Sequence, residues 1–276
     1  MENVDRHTVS GFGFEWKQFD QSKLSDQESE ELFEGYFRIF PWDELPAGAV
    51  GMDVGCGSGR WARRVALRVG RLHCIDASAE ALSVAQRNLA GFENCDFHCA
   101  GVDRMPVSDS SMDFGYSLGV LHHVPDTTAA IRSCVQKLKR GAPFLVYLYY
   151  ALENQPTWFR LLWRSTDMLR GCISSCPHAI RLAASQIIAA LVYYPLARIS
   201  LLAEAAGIDV GRIPLSFYRK KSFYTMRTDA LDRFGTALEQ RFTAAQTKAM
   251  MIAAGLTNIR VSDQKPFWCA VGYRET

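Results

Sequence analysis

One stretch, Gly51 to Ser78, limits what this chain can fold into. It reads GMDVGCGSGRW and, one helical pattern later, CIDAS. An apolar strand running into Gly55, Cys56, Gly57, Ser58 and Gly59 makes a crowded turn between strand and helix, where side chains would obstruct a ligand lying on the backbone. A second short strand, residues 72–75, then delivers Asp76, whose carboxylate can accept hydrogen bonds from both hydroxyls of a ribose. The glycine spacing is G-x-G-x-G, not the phosphate-cradling G-x-G-x-x-G, and no G-K-[ST] follows. Asp53 also precedes the turn, and its negative charge would oppose a pyrophosphate and suit an ammonium. The expected ligand is a nucleoside without phosphate at this turn.

Around this stretch the chain alternates. Strands are expected over 49–54, 71–76, 94–99, 113–118 and 142–150, with helices over 59–69, 78–90 and 127–138 between them. That order predicts a largely parallel sheet covered by helices, with the ligand outside the carboxyl ends of the strands. Residues 1–20 show no regular pattern but carry Phe12, Phe14, Trp16 and Phe19, which need a surface to bury against, either as a cap or on the flank. A helix is expected over 25–40. The boundaries read as residues 1–48 for an N-terminal cap and helix, 49–150 for the ligand-binding core, 151–240 for a helical insertion, and 241–276 for completion of the sheet. The insertion is too long and too apolar for a loop; it can serve as a lid or as a homodimer surface.

Composition narrows the partners. The net charge of +2 hides eleven acidic and four basic side chains in residues 1–48, which leaves the remainder basic. A basic body attracts anions, but no long Lys/Arg tract is present, so a small molecule is expected and no nucleic acid. The cysteines are dispersed, and Cys172 with Cys176 supplies too few ligands for a zinc site, so no metal is expected and buried thiols in a cytoplasmic setting are. The uncharged run Leu182 to Ala197 is short for a bilayer span and contains Pro195. It predicts no transmembrane segment, with peripheral membrane contact or a cover for a lipidic substrate as the alternatives to a buried helix.

VGMDVGCGSGRW, IDAS, MPVSDSSMDFGYSLGVLHHVPD and the closing KPFWCAVGYR, taken in order, resemble a class I S-adenosylmethionine-dependent methyltransferase of the broad small-molecule group. The resemblance covers Ala49 to Val146 well and the last thirty residues loosely. It implies an α/β, Rossmann-like, seven-stranded and mostly parallel sheet with a terminal antiparallel hairpin strand and a helical lid. The implied cofactor is S-adenosyl-L-methionine, leaving as S-adenosyl-L-homocysteine. Asp53, Gly55, Cys56, Gly57, Ser58 and Gly59 would then hold the amino-acid half, and Asp76 the ribose, with Ala77 and Ser78 beside it. Gly101, Val102 and Asp103 would border the adenine, although Gly101 stands where the family carries an acidic or hydroxyl side chain. Leu118 and Gly119 would define the methyl-transfer edge.

For the acceptor the residues say less. His122 is the candidate base and His123 a substrate neighbour, since imidazole titrates near neutrality; either can instead satisfy a local hydrogen bond. Tyr224, Arg227 and Arg233 are the candidate anion-binding set, with Tyr149 and Trp16 as walls. O- or N-methylation of a small, anionic, partly aromatic or apolar metabolite is the expected reaction. The alternatives are C- or S-methylation of a lipidic, quinone-like or sugar substrate, a dinucleotide-dependent oxidoreductase, and a non-catalytic cofactor-binding scaffold.

Overall fold

The computed structural model describes residues 2–211 and 213–276. Its polypeptide separates into two compact units. The first comprises the N-terminal segment up to Gln21, Ser29–Ala151 and Leu238–Thr276; the second comprises Ser22–Glu28 and Leu152–Ala237.

In the first unit, strands β1 (Val50–Val54), β2 (Arg71–Asp76), β3 (Cys95–Cys99), β4 (Phe114–Leu118), β5 (Pro143–Tyr147), β6 (Leu256–Val261) and β7 (Cys269–Arg274) form one sheet in the order β3-β2-β1-β4-β5-β7-β6. The first five are parallel, whereas β7 runs antiparallel to both β5 and β6. The strand order reverses beside β1, which places the ends of β1 and β4 at the crevice where such sheets bind ligands. Met52, Val54, Ile75, Phe144 and Val146 point into a core completed by Leu121, Ile131 and Leu138. Helices α4 (Ala79–Asn88), α5 (Thr127–Lys137) and α10 (Ala244–Ala253) begin where side chains cap them: Ser78, Asp126 and Thr243 each accept an N–H from the first turn. The helix expected over 59–69 is regular only at α3 (Ala62–Val65), because Gly59 still sits at φ 77° and turns follow Ala66.

The N-terminal segment departs from expectation. Residues 6–18 form helix α1 (Arg6–Gln18), capped by Asp5, whose side chain accepts from the Thr8 N–H. Its glycines hide the pattern: a Cβ at Gly13 would lie 2.6 Å from Ser78 Oγ, so glycine is required where α1 crosses the start of α4. Helix α2 (Asp26–Phe37) follows, and its Phe33 and Phe37 stack into a cluster with Phe40 and Trp42.

The second unit holds α6 (Thr157–Ser174), α7 (His178–Ile188), α8 (Tyr194–Ala205) and α9 (Phe223–Gly235). Ile173, Ala189, Tyr193, Ala197, Met226 and Phe234 make its core. The helical stretch that contains the uncharged run Leu182 to Ala197 carries a π-helical segment, Ala189–Tyr193, between α7 and α8. Pro195 has no N–H to give to Leu191, and the turn before it widens.

Candidate functional site

The glycine turn is built by strand ends. Gly55 and Cys56 both donate to Ile75 O at the end of β2, at 2.7 and 3.0 Å. Asp76 then fastens the two loops: its Oδ2 accepts from Gly57 N at 2.9 Å and its Oδ1 from Ser78 N at 2.8 Å. Burial raises its pKa against those two bonds. Each oxygen keeps a lone pair, so the carboxylate is oriented and still able to accept a pair of hydroxyls. Ser78 itself spends its side chain on the α4 cap, and Cys56 keeps its proton, its thiol pushed up to about 11 by burial and the neighbouring Asp76 and Asp53.

Two buried oxygens at this edge have no hydrogen-bond partner among the described residues: Ser58 Oγ and Asp103 Oδ1. Buried polar atoms are seldom left so, which makes both oxygens candidates for contact with a ligand group. Asp103 fills the space beside Gly101. A Cβ built on Gly101 would lie 2.9 Å from Asp103 Oδ1, so the absent side chain leaves the space into which the Asp103 carboxylate folds back. Asn3 N donates to its other oxygen at 3.3 Å, while Val4 lies on Gly101. Val102 is buried against the core and Ala77 is half-buried beside Asp76.

Asp53 is buried, Tyr116 donates to its Oδ2 at 2.9 Å, and loss of solvent pushes its pKa up to about 8 despite that bond. Without a ligand it therefore holds a proton at neutral pH; an arriving ammonium would supply the charge that releases it. Trp16, the expected wall residue, lies over the glycine turn. Its indole Nε1 lies 2.8 Å from where a Gly57 Cβ would be, so it covers the glycine turn, and Gly57 at φ 55° cannot be replaced without striking it.

Beyond β4 the backbone turns at Gly119, at φ 79°, whose N–H is held by Tyr147 O at 3.1 Å. Leu118, just before it, is buried. A Cβ at Gly119 would meet Tyr147 only at 3.9 Å, which leaves this edge open. His122 follows, fully buried, its ring 3.9 Å from both His123 and Tyr149. Neither of its nitrogens has a partner among the described residues, and burial holds its pKa well below the usual range, so it is a neutral imidazole. His123 differs: its Nδ1–H donates to Leu238 O at 2.6 Å and its ring meets Phe12 edge-on.

Two residues here were not anticipated. Arg241 lies over the Tyr149 ring at 5.1 Å, pairs with buried Glu239 at 2.8 Å and donates to Tyr150 O. Its signal was the E-Q-R-F run at the junction where the insertion ends, a charged pair flanking one residue. Tyr36, edge-on to Tyr147 at 5.0 Å, lies within the helix expected over 25–40 and was not singled out there.

The expected anion-binding trio belongs to the second unit, and each described partner lies within it. Arg233 pairs with Asp167 at 3.3 Å and stacks on Trp163; Arg227 donates to Gln186; Tyr224 is half-buried on α9. Two of the three are thus engaged in holding helices together.

Residues 52–146 match the family model of a methyltransferase domain. Over 118 residues the chain is 35% identical to the ubiquinone biosynthesis O-methyltransferase of Xanthomonas axonopodis pv. citri, covering 42% of this chain and 48% of that one. The corresponding enzyme of Chromobacterium violaceum is 33% identical over 97 residues, 34% of this chain and 42% of that one. The chain thus spans about half the length of the curated relatives it matches. Among solved structures, a Bordetella parapertussis protein superposes with TM-score 0.53 at 19% identity, over 95% of this chain and 79% of its own. A Bacillus halodurans C-125 protein gives 0.51 at 13%, over 86% and 72%. At those identities the likeness is one of fold.

Proposed function

The chain carries the domain of a class I S-adenosylmethionine-dependent methyltransferase, and from that premise we propose that it methylates a hydroxyl on a small, largely apolar ring of the quinol class. The bound sulfonium supplies an activated methyl with its own leaving group, so no covalent intermediate on the protein is needed. The chain's part is to hold and orient. Asp76 accepts from the ribose, Asp103 Oδ1 faces the adenine amine, and Asp53 with the Gly55–Gly59 turn receives the amino-acid end.

The observation that carries the acceptor reading is His122. A buried, neutral imidazole with both nitrogens unsatisfied among the described residues lies three residues beyond the open edge at Gly119. Its open nitrogens make it the group to which we assign the proton of a ring hydroxyl, the anionic ring oxygen left behind offsetting the imidazolium that burial disfavours, with Tyr149 as the stacking wall. Similarity to ubiquinone biosynthesis O-methyltransferases supports a hydroxyl acceptor and a quinone-like ring over an amine.

The test supplies methyl-labelled donor with catechols and quinols, with and without an isoprenoid tail, and locates the label in the product. Label on oxygen is expected, and His122→Gln should lower kcat by about 10²-fold or more while binding of S-adenosylhomocysteine is unchanged. Label found on carbon or sulfur, or a His122→Gln enzyme as fast as the parent, would overturn the assignment.

A further inference from the structure

Among the described residues, exposed large apolar side chains concentrate in the helical unit, and only Leu67 and Ile252 lie outside residues 158–223. The distribution along the helices is inverted. The α7–α8 region buries Arg181, Ser185, Ala189, Ala197 and Ser200 and exposes Ile180, Ile187, Leu191, Ile199 and Leu202, with Leu191 72% and Leu202 71% accessible. On α6, Trp158, Leu161, Leu162, Met168 and Leu169 fall on one face at helical spacing, and Met168 is 78% accessible. Arg160 and Arg164, both exposed, run along one flank of that face. Over residues 152–237 the sequence has eleven Lys and Arg against six Asp and Glu.

We infer that this unit seats on an anionic lipid surface, its α6 and α7–α8 faces lying in the plane of the interface. An apolar face with exposed tryptophan and flanking arginines fits the boundary of acyl chains and negatively charged headgroups, where the alkyl part of arginine lies along the apolar layer and its guanidinium reaches the phosphates. A second copy of the chain fits less well. A two-fold interface sets a patch against itself, so the arginine flank of α6 would meet arginines, and Asp167 on the same helix is already paired with Arg170 and Arg233. The helix His178–Ala205 is long and apolar enough to cross a membrane by length and composition, but its other face is committed. Arg181 donates to Cys176 O and Gly235 O, and Ala189 and Ala197 pack with Met226 and Phe234 of α9. A helix with one face held by its own unit lies on the bilayer and does not thread it.

Sedimentation with vesicles tests this without any methyl donor, so its outcome is separate from that of the acceptor assay. The full chain is spun with vesicles of one part phosphatidylglycerol to three parts phosphatidylcholine, and with phosphatidylcholine alone. The parent should pellet with the anionic vesicles and release in high salt. Arg160→Gln with Arg164→Gln should weaken binding roughly tenfold or more, and Leu161→Asp with Met168→Asp should abolish it, both with unchanged circular dichroism. A parent that stays in the supernatant, or an arginine variant that pellets like the parent, overturns the inference. So does a parent that light scattering shows to be a dimer and that Leu191→Asp with Leu202→Asp renders monomeric, since the face would then belong to a second copy.

Discussion

Asp53 and Asp76 stand at the ends of neighbouring strands, yet their surroundings give them different tasks. Asp76 is gripped by two amide N–H groups, so it serves as an oriented acceptor; Asp76→Ala should weaken S-adenosylhomocysteine binding by roughly 1.5–3 kcal/mol, read by calorimetry. Asp53 has a single donor, Tyr116, and its pKa stands at about 8 in place of 3.8. A carboxyl raised on folding binds its proton more tightly in the native state. Its contribution to stability is therefore full below about pH 4 and is lost as pH rises through about 8. Ligand-free protein should lose thermal stability relative to Asp53→Asn between about pH 5 and about pH 8.5; parallel melting curves would mean that Asp53 is already ionised. The position of both aspartates was legible from the strand-turn pattern. The protonation of Asp53 was not, because it follows from burial in the folded sheet, against which the bond from Tyr116, sixty-three residues away and brought beside it by the pairing of β1 with β4, works in the opposite direction.

At the scale of elements, the central strands could be read to within a few residues because apolar runs ended in glycine, proline or a capping side chain. Helix α1 escaped that reading for a physical reason. Gly11 and Gly13 look like loop residues, and only the crossing with α4 shows why a helix tolerates one of them. What α1 does follows from its two ends: Trp16 lies over the glycine turn, and the segment before it pins Asp103 and Asp126 through Asn3. The helix is held at its start by the Asp5 cap, worth about 1 kcal/mol. Asp5→Ala should therefore fray the cover and speed release of S-adenosylhomocysteine several-fold in stopped flow. The thermal midpoint of ligand-free protein should move by only a few degrees. Unchanged release would show that Trp16 is held by its packing alone.

The whole molecule divides its properties between two units. The sheet unit collects the glycine turn, the aspartates and His122, all on groups fixed by strand ends. The helical unit collects apolar exposure and basic charge, with a core of its own. From the sequence the helical character of residues 151–240 was readable, whereas which helix faces would be left uncovered was not, since a period shows a stripe but not what lies against it. Separate cores predict separate thermal responses. S-adenosylhomocysteine at a hundredfold excess over its Kd stabilises the unit that binds it by about 2.7 kcal/mol, or roughly 5 to 10 °C for a body of this size. Calorimetry should show that shift in one transition, and hydrogen exchange should assign it to β1, β2 and the loop at residues 101–103. Amides of α7 and α8 should exchange at their former rate. Equal slowing in those helices would mean that the cofactor orders both units together and that the division is one of packing without independent stability.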